Sequence, residues 1–194
     1  GLAMTNPKAT LHMANGADIV IELLPEAAPN TVNSFIYAAS HGYLDHHAIE
    51  RIVPGNWVDV SYTAFGKKEC RYLIPNEFEL NPDVVPLDSH PGAVCMGGYG
   101  EAGLAGCEFF FPLRDCPDHK GIYPVFGRVL EGMDEVYRLE KVETVPVTDF
   151  PIEGVEVNRP VKPEIIERVE LELHGEIYPE PVRVREPELP ECWK

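Results

Sequence analysis

Residues 22–58, ELLPEAAPNTVNSFIYAASHGYLDHHAIERIVPGNWV, hold two kinds of hydrophobic pattern in one run. In the first half Val32, Phe35, Ile36 and Ala39 recur at helical spacing, Pro29 and Asn30 supply start signals, and Gly42 supplies a stop. This predicts one amphipathic helix of about three turns. From Ile49 the pattern becomes a short β-branched run that Pro54-Gly55 turns. Arg51 lies in that run between an acid, Glu50, and an apolar pair, Ile52 and Val53. A lone cation there must face either solvent or a pocket, because an unpaired charge is not buried in a core.

The flanking chain fills in the rest. ATLHMANG and ADIVIELL alternate on either side of Asn15-Gly16, which predicts a β-hairpin. Downstream, NWVDVSY, GAVCM, EFFFPL and YPVFGRVL are short β-rich runs broken by Gly- and Pro-bearing loops, the pattern of a closed or sandwiched antiparallel sheet. EGMDEVYRLEKV predicts a second helix with Met133, Val136, Tyr137 and Leu139 near one face, and EIIERVELEL alternates as a final half-buried strand. After His174, GEIYPEPVRVREPELPECWK carries four of the 19 prolines and five glutamates. Such a segment cannot build its own core. The expected organisation is an N-terminal arm over residues 1–8, with Gly1-Leu2-Ala3 as a cloning remnant, a domain over 9–174, and an extended tail over 175–194 that is laid on the domain or mobile.

Composition narrows the function. A length of 194 residues suits one domain with a sizeable core. The apolar share is 44%, and no apolar run approaches the roughly 18–20 residues of a membrane span, so no membrane partner is expected. Sixteen basic against 32 acidic residues give a formal charge of −16, which repels phosphate backbones and argues against nucleic acid. The residues after Met4 lack the basic and apolar regions of a signal peptide, so a cytoplasmic protein is expected. Cys70, Cys95, Cys107, Cys116 and Cys192 contain no C-x-x-C pair and read as reduced, partly buried thiols. Adjacent His46 and His47 lack a ligand set and read as solvent-facing loop residues. GGYGEAGLAGC lies between strands and so lacks the helix N-terminus of a phosphate cradle.

Several of these blocks together resemble the cyclophilins. The run from ELLPEAAPNTVNSF through IERIVPG is similar to that family's opening motif, and NEFE, HPGAVCMGG, EFFFPL and VFGRVLEGMDEVYRLEKV look like its later blocks in the same order, covering roughly residues 9–173. The resemblance implies a mainly β fold, a closed eight-stranded antiparallel β-barrel capped by two α-helices. It also implies peptidyl-prolyl cis/trans isomerase activity on proline-containing peptides or unfolded protein segments, with no cofactor.

An X-Pro bond rotates over a barrier of about 18–20 kcal/mol because resonance flattens the amide. A donor aimed at the prolyl nitrogen stabilises the twisted amide more than the planar one, and this accelerates rotation. Arg51 stands at the position of the family's catalytic arginine, and its fixed charge and rigid fork of donors suit that role. By the same resemblance Phe110 underlies the proline ring, with Met96 in the neighbouring block; Phe109 and Phe111 face the other way by strand alternation. A plain core phenylalanine is the other reading of Phe110.

The pocket also departs from the family. Asn56 replaces an aromatic, and Trp57 comes directly after it; Asp59 and Glu108 replace glutamines; Tyr123 replaces a histidine; Asp118 replaces the tryptophan known for drug binding. Bidentate pairing of Asp59 or Glu108 with Arg51 would orient the guanidinium but offset its field, and the acids would favour substrates with Lys or Arg beside the proline. These residues are compatible with two functions. One is a prolyl isomerase of modest activity. The other is a catalytically weak cyclophilin-like module that binds proline-containing segments.

Overall fold

The computed structural model describes residues 5–60 and 67–194. Gly1-Leu2-Ala3, and Ser61-Tyr62 at the end of the run NWVDVSY, lie outside the described residues. The chain opens with the hairpin β1 (Lys8–Met13) and β2 (Asp18–Leu23), followed by helix α1 (Pro29–Ser40). Three short strands come next, β3 (His47–Ala48), β4 (Arg51–Val53) and β5 (Trp57–Asp59). After β6 (Leu73–Ile74) and the one-turn helix α2 (Glu77–Leu80) come the main strands, β7 (Ala93–Gly98), β8 (Leu104–Pro112) and β9 (Val125–Glu131). Helix α3 (Met133–Glu140), the pair β10 (Thr144–Pro146) and β11 (Asn158–Pro160), and β12 (Ile165–Glu172) complete the domain.

The main sheet has ten strands in the order β3-β12-β1-β2-β9-β7-β8-β5-β4, with β6 added beside β8, while β10 and β11 pair separately. The expected closed, eight-stranded barrel with two helices is therefore corrected to a curled half-barrel of ten strands with three helices among the described residues. Among the described residues no ladder joins the two ends of the path. β3 and β4 stand at the two ends of this path, although only Ile49 and Glu50 separate them in the chain. That two-residue step forces the sheet to curl until its ends approach.

Helix α1 starts with Pro29 at its first turn, where a missing N–H costs nothing. Asn30 is not its cap. Its side-chain amide instead donates to Val182 O at 3.1 Å and accepts from Val182 N at 2.8 Å, tying the tail to the helix. Val32, Phe35, Ile36 and Ala39 are buried, and the Phe35 ring meets Phe109 edge-on at 5.2 Å and Phe126 at 5.5 Å. This helix fills the concave side of the sheet, where Leu11, Ile19, Ile21, Leu23 and Phe111 complete the core. Helix α3 starts after Gly132, whose φ of +99° and contact with the Asp18 carbonyl leave no room for a Cβ. Val136 and Leu139 are buried under it, but Tyr137 is 40% exposed, so the predicted apolar face is narrower than the pattern implies.

The pair of histidines also needs correcting. His46 is exposed and pairs with Glu167 at 2.8 Å, whereas His47 is buried in β3, where desolvation lowers its pKa to about 4. Residues 175–194 pack against the domain: Val184 N donates to Leu73 O at 2.9 Å, the Arg183 guanidinium lies 4.3 Å from the Tyr72 ring centroid, and Trp193 is buried against Leu73 and Ala105. Among the described residues no helix is long and apolar enough to cross a membrane.

Candidate active site

Strand register places the site. Arg51 is opposite Asp59 in the β4–β5 ladder, Asp59 is opposite Phe110 in β5–β8, and Phe110 is opposite Cys95 in β7–β8. Residues directly opposite share a face, so these four side chains form one row across the sheet. Residues two positions away share it too, which adds Trp57 and Glu108. The same alternation sends Phe109 and Phe111 into the main core. Phe110 belongs instead to a separate apolar cluster with Ala93, Cys95 and Val125, with Trp57 and Tyr123 packed against it. That separation favours the pocket reading of Phe110 over the core reading.

The row floors a cavity of about 280 Å³. Phe110 is ringed by aromatics at 6.1 Å (Trp57), 6.1 Å (Tyr123) and 6.2 Å (His119), with His119 and Tyr123 4.8 Å apart. Gly97, Gly98 and Tyr99 from the end of β7 form another wall, and Ile152 and Val155 from the β10–β11 loop form the last. Of the residues expected from sequence, Arg51, Trp57, Asp59, Glu108, Phe110 and Tyr123 line this cavity.

Two expected residues do not. Met96 is fully buried in the main core, opposite Phe109, because one step along β7 from Cys95 turns the side chain to the other face of the sheet. Asn56 sits in the turn before β5, where its Oδ1 accepts from Arg114 Nε at 2.8 Å. Its neighbour Trp57 lines the pocket, with the guanidiniums of Arg51 and Arg114 at 5.7 and 5.6 Å from its ring centroid.

Arg51 Nη1 donates to Asp59 Oδ2 at 3.0 Å, and Arg51 Nε donates to the backbone carbonyl of Glu156 at 2.7 Å. Asp59 Oδ1 has no partner among the described residues, so the carboxylate engages through one oxygen, not two. Burial pushes the Asp59 pKa up to about 6, against the opposing pull of Arg51. The ring nitrogens Trp57 Nε1 and His119 Nδ1 also lack partners among the described residues. Burial lowers the His119 pKa below its ordinary value, which keeps the ring neutral at pH 7. Glu108 Oε1 accepts from the Tyr99 hydroxyl at 2.6 Å and from Trp193 Nε1 at 3.3 Å.

His119, Tyr99, Ile152, Val155 and the Glu156 carbonyl are the parts that sequence reasoning missed. Tyr99 lies in the glycine-rich loop GGYGEAGLAGC, and its aromatic ring among glycines is the available signal. No local pattern marks His119 or the β10–β11 loop. Among the described residues no cluster of His, Cys, Asp and Glu is arranged to hold a metal ion.

A curled antiparallel sheet with an arginine at the rim of an aromatic pocket defines a cyclophilin-like class. The family model for cyclophilin type peptidyl-prolyl cis-trans isomerases matches residues 9–177, and the chain belongs to that family. It is 31% identical to peptidyl-prolyl cis-trans isomerase-like 1 of Gibberella zeae over 152 residues, covering 78% of this chain and 91% of that protein. It is 30% identical over 160 residues to the peptidylprolyl isomerase domain and WD repeat-containing protein 1 of Mus musculus, covering 81% of this chain but only 24% of that protein. Among solved structures, a cyclophilin type isomerase of Cryptosporidium parvum determined in the presence of the dipeptide Ala-Pro superposes with a TM-score of 0.61 at 20% identity, covering 84% of this chain and 96% of that one. This last likeness concerns the fold.

Proposed function

We propose that the chain accelerates cis/trans rotation of X-Pro bonds in peptides and unfolded segments, with Arg51 as the electrostatic catalyst and Phe110 and Trp57 as the seat of the proline ring. The observation that carries this reading is the Arg51–Asp59–Phe110 row, which sets a guanidinium beside an aromatic floor. The reaction breaks no covalent bond and transfers no proton, so a fixed cation and a desolvated ring seat are sufficient. Asp59 and the Glu156 carbonyl position the guanidinium, which lowers the cost of aiming it. A domain over 9–174 with the tail as an appendage and a cytoplasmic site of action belong to the same reading.

The second reading is a module that holds proline segments without speeding their rotation. It is favoured by one observation: two edges of the Arg51 guanidinium are already engaged by Asp59 and Glu156. Prolyl isomerisation of short peptides, compared between the parent chain and Arg51→Ala, separates the two. Acceleration that the substitution abolishes establishes the enzyme; peptide binding without acceleration in the parent establishes the module.

A further inference from the structure

Two carboxylates in the pocket, read from sequence, argue for substrates with a basic residue beside the proline. In the folded chain both are engaged by the protein's own donors. Asp59 is buried against Arg51. Glu108 is 3% exposed, and its Oε1 is shared between Tyr99 and Trp193. Burial and the adjacent Glu108 charge hold the Tyr99 hydroxyl protonated, so it is a permanent donor to that carboxylate. Across the cavity stand Ile152 and Val155, which carry no charge at all.

Trp193 is brought to Glu108 by the course of the tail. Its ring meets Tyr99 edge-on at 5.4 Å and packs in one cluster with Leu73 and Ala105. Upstream, the tail is fixed by the Val184–Leu73 hydrogen bond and by the two-way Asn30–Val182 pair. The indole N–H therefore arrives at Glu108 from a segment anchored at three separate places.

We infer that Tyr99 and Trp193 determine specificity: by holding the buried Glu108 carboxylate on internal donors they withdraw it from the substrate, and the site takes peptides with an apolar residue beside the proline over those with Lys or Arg. This rests on the isomerase reading for its rate assay but not for its binding assay. Trp193 acts through Glu108 and is a positioning residue.

The test compares peptides with Leu or Lys flanking the proline, on the parent chain and on a Tyr99→Phe/Trp193→Phe variant that keeps both rings and removes both donors. The parent favours Leu, and the variant shifts the Leu-to-Lys ratio of kcat/KM toward Lys by about tenfold, the size expected for freeing one desolvated carboxylate. Adding Glu108→Gln to the variant restores the parental ratio. A parent that favours Lys, or a ratio unmoved in the variant, overturns the inference. Should the double variant fail to fold, Glu108→Gln alone decides: the ratio stays within about twofold if the charge is already withdrawn, and Lys peptides lose far more if it is presented. Where no peptide is turned over, the same ratios are read as Kd. A Leu preference in binding then upholds this inference while removing the isomerase reading, and turnover without preference does the reverse.

Discussion

Arg51 and Asp59 face each other across the β4–β5 ladder, with Nη1 3.0 Å from Oδ2 in a site where the aspartate is almost fully removed from water. The pair aims the guanidinium and weakens its field in one contact. In the proposed isomerase reading, a carboxylate so placed holds Arg51 for catalysis and sets a ceiling on it.

Replacing Arg51 by Ala removes the donor at the rim of the pocket. The kcat/KM for an X-Pro peptide is expected to fall roughly 10²–10³-fold, the usual cost of one preorganised donor. Arg51→Lys keeps the charge but not the fork and recovers only a minor part of the rate. Protease-coupled or NMR exchange assays measure both; an Arg51→Ala chain as fast as the parent would exclude the proposed role.

Asp59 controls how activity responds to pH. Its pKa of about 6 means that it is ionised at pH 7 and becomes neutral below 6, where Arg51 loses the opposing charge. Activity of the parent rises as pH falls from 7 to 5. Asp59→Asn, which still offers an oxygen to Nη1, is faster than the parent at pH 7 and flat across the window. His119 titrates below 6.5, so both profiles are measured in a His119→Gln background. A parent profile that stays level would show that the Asp59 charge does not reach the prolyl nitrogen.

Stability carries two opposing slopes in the acid range. His47 has a folded pKa of about 4 against an ordinary 6.5, so between these values the unfolded chain binds the proton and stability is lost as pH falls. Asp59 is raised from 3.8 to about 6, so there the folded chain binds the proton and stability is gained as pH falls. Each amounts to about 3 kcal/mol across its window, and they largely cancel in the parent. Urea midpoints of His47→Gln therefore rise as pH is lowered from 6 to 4, and those of Asp59→Asn drop.

Trp193→Ala opens the cluster with Leu73 and Ala105 and strips a donor from Glu108. A loss of about 3 kcal/mol is expected from chemical denaturation, in the range of large-to-small aromatic truncations. A midpoint equal to the parent's would mean that the tail contributes nothing to the domain's stability.

Local periodicity is enough to find α1, the β1–β2 hairpin, α3 and β12, because each pattern depends only on residues a few positions apart. The blocks around Arg51 and Phe110 carry the family, and with it the catalytic candidate. Met96 misses its expected place by a single residue of register, since neighbours along a strand point to opposite faces and only pairing with β8 shows which face is the pocket.

What the sequence determined by itself is the list of elements, the family and the row of residues that could meet a proline. What the tertiary structure decided is which charges reach the pocket. Asp59 is met by Arg51 eight residues away, but Glu108 accepts a hydrogen bond from a tryptophan 85 residues further along the chain, and the Arg51 Nε bond ends on a carbonyl 105 residues away. Long-range partners leave no periodic trace in sequence, because they are set by how a curled sheet brings its edges, a loop and a tail together rather than by any local preference of the residues involved.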